Sequence, residues 1–166
     1  MEFNPIDKLP ELTKMLQAYN PIVHEKSDEG YDWLDEHSFC IELPNPCGGD
    51  SITIECACGE FTLCFSYYHS HYSAEDYYYS RMCEQLFNLL NNKCCSAALL
   101  YGSEKKWLSS TLIEKEKISQ PVEDIFVFVF EHDTYVEKLT TNEGEVRFDF
   151  WDSSFSKTIK LPKYQL

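Results

Sequence analysis

The residues whose chemistry is easiest to interpret are two histidines inside the aromatic stretch YYHSHY at 67–72. In an extended strand, His69 and His71 point to the same side. They can therefore bind one zinc ion if a third side chain joins them, or they can flank an aromatic shelf at a sheet edge and form local hydrogen bonds. We predict the second arrangement and no cofactor. The candidates for a third ligand lack a diagnostic spacing: Cys64, Glu75 and Asp76.

Thiol chemistry has weaker support, although the chain contains eight cysteines. The stretches CAC at 56–58 and CC at 94–95 lack the C-x-x-C spacing of zinc ribbons and thioredoxin-type sites. Free cysteines usually behave as small buried hydrophobes, and only Cys47, beside two glycines, is expected to be accessible. Nucleophile elbows, phosphate-binding glycine loops and H-E-x-x-H helices are missing from the sequence. We therefore predict no catalytic residues.

Tyrosines and carboxylates form a denser constellation just after the histidines. Tyrosine offers a large contact area with a polar tip, which binding surfaces favour. A helix cannot turn Tyr77, Tyr78 and Tyr79 inward together, so at least one is expected to reach solvent near the histidines. The alternative is that these rings only cover a sheet edge.

A second acidic patch is expected in the segment HEKSDEGYDWLDE, residues 24–36, which we call the acidic loop. Its turn-forming composition predicts an exposed loop whose Trp33 and Leu34 dock back onto the protein. Together the two patches provide the predicted partner-binding residues, which are Tyr68, His69, His71, Tyr72, Tyr77, Tyr78, Asp28, Glu29, Asp32, Asp35 and Glu36.

The charge balance indicates what such a surface would bind. The 166 residues include 28 acidic and 14 basic side chains, a formal charge of −14. The resulting field repels phosphate and attracts basic proteins, so we predict no nucleic-acid or membrane partner. A surplus of this kind can also serve solubility alone.

The helical segments predicted from the sequence lie at the N-terminus and in the middle of the chain. Asn4 and Pro5 predict a capped start to the first helix, whose apolar face includes Leu12, Met15 and Leu16. A capping signature at Ser73 and a broad apolar stripe predict a helix over 74–92 that covers the sheet.

Strands are predicted for most of the remaining chain. Residues 39–43, 51–57 and 60–72 alternate apolar and polar side chains, with Phe61, Leu63, Phe65 and Tyr67 on one face. A second antiparallel pair is predicted at 94–102 and 105–115, and a closing hairpin at 145–161. The stretch 122–139 fits strand or helix, and we favour a strand at 125–130. The fold class is α+β: a single domain over 1–166, with an antiparallel sheet packed against an N-terminal and a central helix.

The order of these elements resembles the immunity-type proteins of bacterial polymorphic toxin systems. The similarity covers residues 38–113, with the FSYYHSHYS strand end before the helix, and more faintly 145–161, where Phe150-Trp151-Asp152 matches a later aromatic element. It implies a non-catalytic α+β protein of the cytoplasm that binds a cognate toxin, often a basic nuclease. We also expect a soluble protein of the cytoplasm from two further features. The N-terminus has no basic and apolar leader, and the sequence has no apolar run long enough to span a membrane. The alternatives are a metal-dependent hydrolase-like enzyme centred on His69 and His71, and a nucleic-acid mimic that inhibits a DNA-binding protein.

Overall fold

The computed structural model describes residues 3–119 and 143–161, and these residues form an α+β fold with two α-helices and nine strands. The segment 122–139, including the strand predicted at 125–130, lies outside the described residues. Two compact units divide the chain at Phe87 and Asn88. The single domain predicted from the sequence stays a prediction. The elements are α1 (Leu9–Met15), β1 (Ile22–Val23), β2 (Phe39–Leu43), β3 (Ile52–Ala57), β4 (Glu60–Phe65), β5 (Tyr68–Ser73), α2 (Asp76–Leu90), β6 (Cys94–Tyr101), β7 (Lys106–Glu114), β8 (Gly144–Asp149) and β9 (Lys157–Leu161).

The N-terminal helix is shorter than its sequence pattern suggests. A 3₁₀ turn over Pro5–Lys8 precedes α1, and a second one follows it at Gln17–Tyr19. Asn4 makes no side-chain capping bond, so the predicted cap is wrong. Leu12 and Leu16 are buried, whereas Met15 is 37% exposed. At about 100° per residue, Leu16 lies about 40° to one side of Leu12 around the helix axis and Met15 about 60° to the other, so Met15 falls at the border of the buried stripe.

The first unit contains a five-stranded antiparallel sheet in the order β1-β2-β3-β4-β5. One face is apolar because every second residue of β2, β3 and β4 is hydrophobic and buried. Its central cross-strand row is Ile41, Ile54 and Leu63, all fully buried. Phe61 contacts Tyr79 of α2 with ring centroids 5.5 Å apart.

The opposite face of this sheet is polar, and we call it the outer face. Its residues follow from the strand register, because directly opposed residues point to the same side of a sheet. Two cross-strand rows run from β2 to β5. These rows are Cys40, Glu55, Thr62 and His71, and Glu42, Thr53, Cys64 and His69.

The third predicted strand is two strands. Residues 60–72 reverse direction at Ser66 and Tyr67, where Ser66 has a φ of 53°. The predicted placement of Tyr67 in line with Phe65 is therefore wrong. The reversal shifts the alternation by one residue, so Tyr68 and Tyr72 face inward while His69 and His71 face outward.

The central helix is confirmed as α2, which begins at Asp76 and ends at Leu90. Its buried residues recur at the spacing that the apolar stripe predicted, with Tyr79, Met82 and Leu86 on the buried side. Tyr77 and Tyr78 are exposed, as expected for at least one ring of the triple tyrosine.

The second unit contains a four-stranded antiparallel sheet in the order β7-β6-β8-β9. Both predicted strand pairs, at 94–115 and 145–161, are confirmed. Val146, Phe148 and Phe150 lie in one hydrophobic cluster with Cys95, Ala97 and Leu99 of β6. Over the residues that the structure describes, neither helix is long and apolar enough to cross a membrane.

Candidate functional site

Negative charge is concentrated in the first unit. Residues 1–87 carry 16 acidic and 4 basic side chains, and residues 88–166 carry 12 acidic and 10 basic ones. Residues 27–80 contain 11 acidic side chains and neither lysine nor arginine. This cation-free stretch includes most of the acidic loop, strands β2 to β5 and the first turn of α2. The acidic surplus therefore belongs to one contiguous part of the chain.

The acidic loop is held in shape by its own backbone. Four successive turns close through amide-to-carbonyl bonds, from Asp28 to Glu25, from Tyr31 to Asp28, from Leu34 to Tyr31 and from Ser38 to Asp35. Turns of this kind satisfy polar groups that a sheet or helix would otherwise pair. The loop therefore presents its carboxylates from a defined backbone.

A histidine links the loop to the outer face of the sheet. The His24 ring stacks on Tyr31, with centroids 3.8 Å apart and planes 8° from parallel. Its Nε2 lies 2.9 Å from the Glu42 carboxylate and its Nδ1 lies 3.3 Å from that of Asp28. Hydrogen bonds from Ser51 and His24 lower the pKa of Glu42, and burial raises the pKa of Tyr31. His24 therefore ties a loop carboxylate and a strand carboxylate together.

The five acids predicted in the loop fall into two groups. Asp28 accepts from the Glu25 amide at 3.0 Å, and Asp35 accepts from the His37 amide at 2.8 Å and the Ser38 hydroxyl at 2.9 Å. These backbone and hydroxyl bonds lower the pKa of Asp35. Glu29 and Asp32 are exposed without a hydrogen bond or ion pair to any described residue. Glu36 makes only a surface contact of 3.6 Å with His37.

The loop docks through one of its two predicted anchors. Leu34 is buried, whereas Trp33 is 40% exposed, so the prediction that Trp33 docks back is wrong. Consecutive side chains in a turn diverge, and here the leucine occupies the inward position. A shallow depression of about 490 Å³ lies beside it. It is lined by His24, Glu25, Lys26, Leu34, Asp35, Glu36 and Ser38.

Two of the predicted binding tyrosines belong to the core. Tyr68 and Tyr72 are 8% and 7% exposed. Their hydroxyls lie 3.1 Å apart, and both donate to the side-chain oxygen of Gln85 on α2, Tyr68 at 2.9 Å. A buried hydroxyl needs such a partner. We therefore place them among the residues that join β5 to α2 and outside the binding surface.

The other two predicted tyrosines lie at the surface. Tyr77 is 66% exposed and Tyr78 is 42% exposed, with ring centroids 5.2 Å apart and planes 78° apart. Asp76 beside them shares Lys8 with Glu11, at 3.6 and 3.5 Å. Large exposed aromatic groups are typical of binding surfaces.

His69 and His71 lie on the same side of β5, as their spacing predicted, and the reversal at Ser66 and Tyr67 makes that side the outer face. His69 and His71 are exposed on the edge strand β5, with ring centroids 5.8 Å apart. His71 contacts Thr62 at 3.1 Å and Glu60 at 3.4 Å. Within 3–119 and 143–161, no three histidine, cysteine, aspartate or glutamate side chains form a group that could hold a metal ion. The third ligand that a zinc site requires is not supplied by these residues.

The outer face connects the two predicted patches. Glu42, which binds His24, lies in the same cross-strand row as His69. Three strand spacings separate them, a distance of about 14 Å. The acidic loop and the histidine pair therefore lie at opposite edges of one polar sheet face.

Most of the thiols are poor nucleophiles. Burial raises the pKa of Cys40 and Cys95 to about 12 and that of Cys56 and Cys94 to about 11. The protonated thiol reacts slowly compared with the thiolate. Cys47 is exposed, as predicted, but Cys58 is exposed as well, so the prediction that only Cys47 is accessible is wrong.

Comparison with known proteins identifies no relative: no family model matches, and no curated protein or solved structure is significantly similar.

Sequence reasoning missed the residues that hold the loop, namely His24, Tyr31 and Glu42. These residues are separated in the sequence and are brought together by turns and strand register, which no short sequence pattern encodes. It also missed the cation-free stretch 27–80, which is visible in the printed sequence as a run without lysine or arginine.

Proposed function

We propose that this chain is a non-catalytic, immunity-type binding protein that blocks a basic protein partner, such as a nuclease toxin. The observation that carries the proposal is the cation-free stretch 27–80, which forms strands β2 to β5, most of the acidic loop and the exposed tyrosines of one unit. A field of one sign attracts partners of the opposite sign and rejects others.

The proposed mechanism has an electrostatic step and a steric step. Exposed carboxylates such as Glu29 and Asp32 accelerate encounter, because opposite potentials raise association rates. Exposed aromatic groups such as Trp33 and Tyr77 then lose contact with water and slow dissociation. Because the loop backbone is held by its turns and by His24, little ordering is required on binding. The bound chain would cover the basic surface that the toxin uses on its own target.

Co-expression tests this function. The product of the reading frame next to this gene is expressed in a bacterial host in three ways: alone, with this chain, and with a variant of this chain in which acids of the acidic loop are neutralised. The proposal predicts growth arrest by the neighbouring product alone and normal growth when this chain is present. A variant in which the same number of exposed acids is neutralised in the second unit should protect the host as well as the wild type does.

Each other outcome of the co-expression test has a defined meaning. A neighbouring product that arrests growth equally with and without this chain would contradict the proposal. Protection that needs a stable complex with a host DNA-binding protein would favour the nucleic-acid mimic. Protection that persists when the complex cannot form, but requires His69 and His71, would favour an enzyme.

A further inference from the structure

The Tyr77–Tyr78 pair is the exposed aromatic feature with the most defined geometry. Its rings are close to perpendicular; Tyr77 lies largely in solvent, and Tyr78 is 42% exposed. No cation of the described chain lies over either ring; the lysine near this helix, Lys8, lies over Phe3 and Tyr79. Within the part of the chain that the structure describes, no cation therefore occupies the ring faces that the pair leaves to solvent.

The charges around the pair favour such a cation. Glu75 and Asp76 directly precede the rings and are exposed. Lys8 is shared between Asp76 and Glu11, and Arg81, the one cation of α2, is 3.6 Å from Glu84. The start of a helix carries a partial positive charge of about one half. The local carboxylates outweigh it, so the surroundings of the rings stay negative.

We infer that the Tyr77–Tyr78 pair receives an arginine side chain of the basic partner. This inference rests on the proposed function and names one contact within it. A guanidinium is planar, stacks on aromatic faces and is weakly hydrated, whereas an ammonium is compact and strongly hydrated. Arginine can also bond Glu75 or Asp76 while it stacks, since its donors form a fork that matches a carboxylate. The pair should therefore prefer arginine to lysine.

The inference is tested with two cationic peptides of about nine residues, poly-arginine and poly-lysine, titrated into the full chain and followed by calorimetry. The acidic field attracts both peptides, so the ratio of their dissociation constants measures the advantage of the guanidinium, from stacking and from forked bonds to carboxylates together. The wild type is expected to bind poly-arginine about fivefold to tenfold more tightly than poly-lysine.

Two double variants identify the rings as the source of this preference. Tyr77→Ser/Tyr78→Ser should reduce the arginine preference to about twofold or less, while Tyr77→Phe/Tyr78→Phe should retain it, because only the second keeps the aromatic faces. Both side chains are exposed, so both variants should fold, and circular dichroism checks this. A third variant, Trp107→Ser, removes an aromatic side chain of the second unit that is 50% exposed and should leave the ratio unchanged.

The outcomes separate the inference from the function it rests on. An unchanged arginine preference in the Ser/Ser variant, or an equal loss of preference in Trp107→Ser, would overturn the inference while leaving an acidic binding protein. A wild type that binds neither peptide at low ionic strength would overturn the electrostatic basis of both. Backbone amide shifts of Tyr77 and Tyr78 on addition of poly-arginine, absent with poly-lysine, would place the contact at these rings.

Discussion

The two units of this chain distribute charge in opposite ways. The first unit has four times as many acidic as basic side chains, whereas the second is close to balanced, with 12 against 10. In the second unit, acids contact lysines: Glu145 binds Lys105 and Lys160, and Glu114 lies 3.3 Å from Lys117. In the first unit, the loop acids bind amides and hydroxyls or extend into solvent.

This difference helps to decide whether the surplus of acidic side chains serves solubility or binding. Solubility requires net charge but no particular location for it. Here the second unit neutralises its own carboxylates, and the first leaves a polar sheet face and a loop without lysine or arginine over residues 27–80. A one-sided field of this kind is typical of surfaces that attract an oppositely charged macromolecule.

The largest expected change in stability comes from truncating a large core side chain in either unit. Phe61 and Phe148 are both fully buried, one in each unit. Phe61→Ala and Phe148→Ala should each lower the free energy of unfolding by about 3–5 kcal/mol, because each leaves a cavity. Chemical denaturation measures the loss, and native-state hydrogen exchange should place it in the unit that carries the substitution. A loss below about 1 kcal/mol in either variant would contradict the core assignment.

A smaller effect is expected from the ion cluster of the second unit. Burial alone would raise the pKa of Glu145, but the hydrogen bonds from Lys105 and Lys160 outweigh it and lower the pKa below the ordinary 4.5. The stabilisation is therefore present above pH 4.5 and is lost as pH falls through the lowered pKa. Glu145→Gln should cost about 2 kcal/mol near neutral pH, since two charged hydrogen bonds are removed.

A pH series of denaturation curves checks this prediction. The difference between wild type and Glu145→Gln should shrink as the carboxylate protonates in the acid range. Glu104→Gln is the control, because Glu104 pairs with Lys106 at the surface. It should cost less than about 0.5 kcal/mol. An equal loss of stability in both variants, or a difference that does not depend on pH, would show that the Glu145 carboxylate stabilises the protein no more than a surface ion pair does.

The smallest predicted change in stability concerns the histidine that ties down the acidic loop. His24→Ala removes the stack on Tyr31 and the contacts with Asp28 and Glu42. It should cost about 1 kcal/mol and raise hydrogen exchange in the loop more than in the sheet. His37→Ala, at a highly exposed position, is the control. Loop exchange that does not change in His24→Ala would show that the four turns and the buried Leu34 hold the loop without His24.

The sequence predicted the fold best where a periodic pattern was long and uninterrupted. The apolar stripe of α2 placed that helix within two residues at each end. The hairpins of the second unit followed from alternating strands separated by turn residues. Patterns of this kind are strong because burial of one face depends directly on side-chain spacing.

Prediction failed where a local turn lacked the usual residues. The reversal at Ser66 and Tyr67 contains neither glycine nor proline, so the alternation looked continuous. The one-residue shift exchanged the faces of β5, which buried Tyr68 and Tyr72 while leaving the histidines outside. Half of the predicted tyrosine patch was therefore core, although the acidic loop and the Tyr77–Tyr78 pair lie at the surface as expected.

The most direct test of the acidic docking surface compares two matched charge variants. Glu29→Gln/Asp32→Asn/Glu36→Gln neutralises three loop acids that do not hold the loop backbone. Glu104→Gln/Glu114→Gln/Glu116→Gln neutralises three exposed acids of the second unit. Their association rates with the partner identified by growth rescue are measured by stopped flow at about 50 mM and about 300 mM NaCl.

The loop variant should associate about tenfold more slowly than the wild type at low salt, and the second-unit variant within about twofold of it. Salt should bring all three rates together, because it screens exposed charges. Equal slowing by the two variants, or rates that do not depend on ionic strength, would contradict a docking surface on the first unit.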